Sequence, residues 1–255
     1  MNNVGGKVLR QERRDALVLL LAWAAGSVDA IGYFGLDRVF TANMTGNMVL
    51  LGLALGQGHV LDALRNFIAL AGFIVGVGIG ALAGEGGGKT GEWDSRVTRI
   101  MSIEAAALVA FTAAWHLSAL PHAPRTIELL IALSALAMGL QSVGVRRLNL
   151  PGVATTYVTG TITFLFSGLT TRFHDTLRKA SVLAAVRETL RWNHQTRMQA
   201  SVLVIYALSA VLSGLFQLHL PALVAITPLL ALVVVLFAAF LSKGQAAAET
   251  SATSS

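Results

Sequence analysis

Apolar runs close to the length of a bilayer crossing recur along this chain, and polar breaks interrupt them. The clearest break is Thr41-Ala42-Asn43-Met44-Thr45-Gly46-Asn47, with apolar residues from Leu17 to Phe34 before it and from Met48 to Leu55 after it. An α-helix needs ~20 apolar residues to cross a bilayer core, and the runs here approach that length. Composition closes the argument. The chain is 55% hydrophobic and only 13% charged, with a mean hydropathy of +0.67. A soluble domain carries about 25% charged residues, so too little polar surface is left to cover a globule of 255 residues. A polytopic integral membrane protein follows. The absence of cysteine removes disulfides, thiol nucleophiles and thiolate metal sites.

A second break, Thr155-Thr156-Tyr157-Val158-Thr159-Gly160-Thr161, copies the first. The two Thr-Gly pairs, Thr45-Gly46 and Thr159-Gly160, lie 114 positions apart, and each has a Thr four residues upstream, at Thr41 and Thr155. The chain therefore reads as two related halves. Residues 1–15 form a basic cytoplasmic tail. Residues 16–242 form one integral membrane domain, with repeat A over about 16–120 and repeat B over about 126–242. The residues from 243 to 255 are small and polar and read as a disordered tail.

Full spans are expected over Ala16–Leu36, Leu61–Gly84, Ile100–Leu120, Ile127–Val145, Ala200–Leu218 and Leu220–Leu241. Gly72, Gly76, Gly80 and Gly84 recur every fourth residue of the second span, a spacing that lets a neighbouring helix approach closely. Pro228 is expected to kink the last span. Glu104 is read as interfacial. Residues 171–199 are basic, with leucines and valine at helical spacing, which fits a cytoplasmic loop holding an amphipathic surface helix.

The apolar segments after the two breaks are only about half a membrane long. Their topology is decided by positive charge. If both are re-entrant, sixteen Lys and Arg residues fall inside and three outside; if both cross, the split is thirteen to six. The fold expected is an all-α transmembrane helix bundle with an internal two-fold repeat. It has six full spans plus two broken or re-entrant segments, eight membrane segments in total, and both termini are cytoplasmic. Three spans per half give the halves opposite orientations, the inverted-repeat arrangement of many secondary transporters.

Asp29 lies about thirteen residues into the first span, near mid-bilayer, where an ionisable residue costs at least ~2.5 kcal/mol on insertion scales. Gln141 occupies a similar place in the second half. Each half thus sets a polar side chain deep in one helix and a Thr-Gly break in the next element. The breaks suit helix N-termini: Thr caps free N–H groups, Gly allows close approach, and the positive helix end faces an anion or a polar substrate group. The candidate substrate- or ion-binding set is Asp29, Thr41, Asn43, Thr45, Gly46, Asn47, Gln141, Thr155, Thr156, Thr159 and Gly160. The bland alternative is inter-helix hydrogen bonding that only packs the bundle. The six histidines lack ligand spacing, so no metal site is expected, and no catalytic set, nucleotide fingerprint or cofactor motif is present.

The run Asp29-Ala30-Ile31-Gly32-Tyr33 followed by Val39-Phe40-Thr41-Ala42-Asn43-Met44-Thr45-Gly46-Asn47 resembles the YoaK family of uncharacterised bacterial membrane proteins. Met138-Gly139-Leu140-Gln141 with Thr155 to Thr161 matches it too. The resemblance implies a location in the bacterial inner membrane and brings no established activity. Two functional readings stay open. One is a small secondary transporter or permease, with Asp29 as the coupling residue. The other is a non-transporting structural or interaction protein. Neither is an enzyme. Lipid is the partner the composition demands; a small molecule or ion and a homo-oligomer stay open, and nucleic acid is not expected.

Overall fold

The computed structural model describes residues 3–86, 93–118 and 121–253, with side chains over residues 11–241 of those ranges. Lys89 and the centre of the 85–99 connector lie outside them. The described residues form ten α-helices and no strand. They are α1 Asn3–Gly35, α2 Met44–Gln57, α3 Val60–Ala83, α4 Ser95–Leu117, α5 Pro124–Arg147, α6 Val158–Lys179, α7 Val182–Leu190, α8 His194–His219, α9 Pro221–Val224 and α10 Ile226–Thr253.

Among the described residues six stretches are long and apolar enough to cross a membrane: Gln11–Gly35, Val60–Ala83, Ser95–Leu117, Pro124–Arg147, His194–His219 and Pro221–Leu241. They coincide with the six spans expected. The two segments after the breaks differ from each other. At ~1.5 Å per residue, the 14 residues of α2 reach only about two-thirds of a ~30 Å hydrocarbon core. Helix α6 has 22 residues but carries Arg172, Asp175, Arg178 and Lys179 in its last turns. The basic 171–199 region does hold a separate short helix, and the rest of it mostly extends the neighbouring helices. It is the end of α6, the short α7 and the first turn of α8. Helical backbone also runs on to Thr253, through the residues that read as a disordered tail; Ala246, Ala247, Ala248 and Glu249 are good helix formers.

Helices α1 and α5 are central. α1 packs on α8 and α10, α5 packs on α3 and α4, and the two touch over a short stretch. Sequence explains the tightest of these contacts. The glycine face of α3 lies on α5: Gly72 against Ala132 and Ala135, Gly76 against the backbone of Leu136, Gly80 against Val143 and Gly84 against Arg147. Gly139 of α5 answers with its own close approach to Phe73 and Val77. Without Cβ atoms at Gly76 and Gly139 the two backbones meet directly.

The last span breaks at Ala225, three residues before Pro228. Proline cannot donate to the carbonyl four residues back, here Val224. Thr227 Oγ1 donates to that carbonyl instead, at 2.9 Å. Thr112 of α4 donates to the carbonyl of Ala225 at 3.1 Å, and the His116 ring pairs with the carbonyl of Ala222 at 2.7 Å. The kink is therefore satisfied from within the protein, as backbone at membrane depth must be.

Candidate functional site

Helix α1 ends at Gly35, and the chain turns back through Asp37 and Arg38, both in the left-handed region (φ 53° and 63°). A Cβ on Gly32 would collide with the Val39 carbonyl, so the glycine lets the returning strand of chain lie on its own helix. This brings residues 40–43 beside Asp29. The Asp29 carboxyl takes four hydrogen bonds. Its Oδ1 accepts from the backbone N–H groups of Thr41 (2.8 Å), Ala42 (2.6 Å) and Asn43 (3.3 Å), and its Oδ2 accepts from the Tyr206 hydroxyl of α8 (2.5 Å). Asp29 thus satisfies the three backbone donors that lead into α2 and ties them to α8.

Other residues of the break hold its shape. Thr41 Oγ1 donates to the Val28 carbonyl at 3.3 Å. Asn47 Oδ1 accepts from the N–H of Phe40 at 3.0 Å, and its Nδ2 donates to the carbonyl of the same residue. Asn43 is the N-cap of α2 and accepts from the Gly46 N–H at 3.3 Å. Gly46 packs edge-on to Phe40 and Asn43, where a Cβ would be tight at 3.1 Å.

The second break repeats this plan with different chemistry. Thr161 Oγ1 pairs with both the N–H (3.2 Å) and the carbonyl (3.4 Å) of Ala154. Ala154 and Thr161 are the positions 114 residues after Phe40 and Asn47. In place of a carboxylate, Gln141 Nε2 donates to Thr155 Oγ1 (2.8 Å) and to the Leu21 carbonyl of α1 (3.0 Å). Beside it Ser142 Oγ shares a hydrogen bond with Thr156 Oγ1 at 2.6 Å. The first link spans 12 residues and the second 14, because the second loop is two residues longer. That loop turns on Asn149 and Gly152, both at positive φ. Tyr157 is the N-cap of α6 and makes no side-chain cap; its ring lies against Gly160.

The two breaks face each other. A cavity of ≈ 470 Å³ is lined by Asp29, Asn43, Thr45, Thr156, Tyr157, Thr159 and Tyr206, with aromatic walls from Tyr33, Phe34 and Phe40. A second cavity of ≈ 730 Å³ shares Asn43, Thr45, Thr156 and Tyr157 with the first and adds Ser142, Arg146, Asn149, Thr155 and Gly160. The candidate residues divide into two groups. Thr41, Asn47, Gln141 and Thr155 are buried and brace the breaks. Asn43, Thr45 and Thr159 are exposed at the first cavity. Asp29 belongs to both: it holds the break and lines the cavity.

The sequence reading missed Tyr206 and the Arg65–Asp37 ion pair (2.5 Å), whose arginine is buried. A tyrosine inside an apolar span is a usable signal, since a buried hydroxyl needs a partner. Glu104, near the start of its span, is fully buried within the protein.

A family model described as "Protein of unknown function (DUF1275)" matches residues 17–240. The chain is also similar to the UPF0700 transmembrane protein YoaK of Bacillus subtilis (strain 168), 34% identical over 205 residues, covering 80% of this chain and 84% of that protein. No solved structure matches. The family match reaches into all six crossings and contains both breaks, and so this chain is a multi-pass membrane protein of the DUF1275 family, to which YoaK is related.

Proposed function

We propose that the protein is a small secondary transporter or permease that binds a small polar or anionic substrate between the two breaks. One observation carries the reading: the N-termini of α2 and α6 open onto one cavity, with Thr45 and Thr159 exposed in it. Helix N-termini present free N–H groups and positive dipole ends. The α6 terminus has no side-chain cap. A cavity of this size suits a small ligand.

The packing pattern supports an inverted repeat. Three pairs of contacts are related by exchanging the halves: α1 on α8 with α5 on α3, α1 on α10 with α5 on α4, and α2 on α3 with α6 on α8. Such pairs can rock against one another around a fixed central site. The excess of positive residues on one side argues for cytoplasmic termini in the inner membrane. A packing protein is the second reading, and the four hydrogen bonds that occupy Asp29 favour it for that residue. It leaves the exposed Thr45 and Thr159 unexplained.

The test is a thermal-shift screen of the purified protein against small polar metabolites and inorganic anions, repeated with Thr45→Val/Thr159→Val. A ligand that stabilises the parent, and loses at least about tenfold in affinity in a variant that melts normally, supports the site; tenfold is about 1.4 kcal/mol. Ligands that stabilise both proteins equally, or none at all, sink it.

A further inference from the structure

Glu104 is the buried acid that the site does not use. It sits nine residues into α4, about 14 Å along the helix, fully buried. Neither carboxyl oxygen has a hydrogen-bond partner, and none of the ion pairs among the described residues includes it. The elements around it offer no charge. On α4 the nearest titratable residues are Arg99 and His116. There are none on α5 between Glu128 and Arg146, none on α10 from Ile226 to Leu241, none on α3 between Arg65 and Ala83, and none on α1 between Asp15 and Asp29. A carboxylate taken out of water without donors or counter-ions is unfavourable enough that the group neutralises instead.

A partner for that proton lies at the same level. Helices α4 and α5 run antiparallel: Phe111 and Trp115 cluster with Ile127, Leu130 and Ile131 near one end, while Met101 covers Gly144 towards the other. One turn along α4 from Met101 is Glu104. One turn back along α5 from Gly144 is Gln141. The Leu21 carbonyl can only accept, so the Gln141 NH2 group must face it and Thr155. That leaves Gln141 Oε1 as an acceptor, and it is buried without a donor.

We propose that Glu104 and Gln141 form a proton-binding site in the core of the bundle, with the Glu104 carboxyl proton held by Gln141 Oε1. This goes beyond the transport reading and does not rest on it. The site is linked to the second break through one amide. Water entering the core takes the proton as hydronium and leaves a carboxylate, which needs donors. Gln141 supplies them only by turning its NH2 group towards Glu104, and it then releases the Leu21 carbonyl, which can only accept, while the Thr155 hydroxyl must switch from accepting to donating to keep its bond. Loss of the proton therefore unlatches Gln141, and the break it holds, from α1.

The test is infrared spectroscopy of the full-length protein in lipid nanodiscs across pH, with Glu104→Gln, Gln141→Leu and Asp29→Asn. The wild type at neutral pH should show the C=O stretch of a neutral carboxylic acid. That band should vanish in Glu104→Gln, persist in Asp29→Asn, and move to higher frequency in Gln141→Leu, where the acceptor is gone. No such band in the wild type, or a band that survives Glu104→Gln, overturns the site. If Glu104→Gln does not fold, Gln141→Leu still decides: an unmoved band overturns the pairing. Failure of every ligand to bind would leave these bands unchanged, so the two readings fail separately.

Discussion

Replacing Asp29 with Asn tests what holds the first break together. The side chain keeps its shape but loses its charge and one acceptor oxygen. Four donors converge on the native carboxyl, three of them backbone N–H groups and one the Tyr206 hydroxyl. Hydrogen bonds to a charged group contribute about 1.5–3 kcal/mol each and neutral ones about 0.5–1.5. The change thus weakens each bond by roughly 1 kcal/mol. The bonds share one acceptor, so their losses do not add fully. The expected cost is about 2–4 kcal/mol. Asp29→Ala, which leaves all four donors without that acceptor, should cost more, since each buried orphaned group carries about 1–3 kcal/mol. Equilibrium unfolding in mixed detergent micelles reads both numbers. Amide exchange at Thr41, Ala42 and Asn43 localises them, and should speed up in both variants. Asp29→Asn that unfolds with the parent and leaves exchange at those three amides unchanged would show that the carboxyl does not hold the break. The residue would then be free to act as the coupling acid of the transport reading.

Three further perturbations follow from the same contacts. Gly76→Leu would drive a side chain into the Leu136 backbone and should lower unfolding free energy by about 1–3 kcal/mol; a variant that melts like the parent would mean that α3 and α5 separate at little cost. Thr155→Val removes the hydroxyl that Gln141 holds and should cost about 1 kcal/mol. A double cycle with Gln141→Leu should show strong non-additivity, whereas independent effects would sever that link. Reporter fusions after Leu241 should read cytoplasmic; a periplasmic reading would invert the orientation drawn from the basic residues.

Much of the architecture was written in the chain by itself. The length of the apolar runs is a one-dimensional property, and it located six crossings to within a few residues. The depth of Asp29 and Gln141 and the 114-residue spacing of the breaks are likewise countable, and both polar residues do meet their breaks. The four-residue glycine period identified a packing face, because helical periodicity alone decides which residues share one side. Folding back is another matter. That Asp29 is engaged by three amides of residues 41–43 depends on a left-handed turn at Asp37 and Arg38, which are not residues that announce positive φ as glycine does. Tyr206 lies 177 positions from Asp29, so only the docking of α8 on α1 could bring them together. The division of the candidates into buried braces and exposed cavity residues also needed three dimensions, since burial belongs to the assembled bundle. Glu104 makes the point most sharply. Its sequence neighbourhood near the start of a span allowed an interfacial position, where a carboxyl stays in water. Packing of α4 against α5 and α10 buried it away from water, with no donor or counter-ion among the described residues for a charged carboxylate.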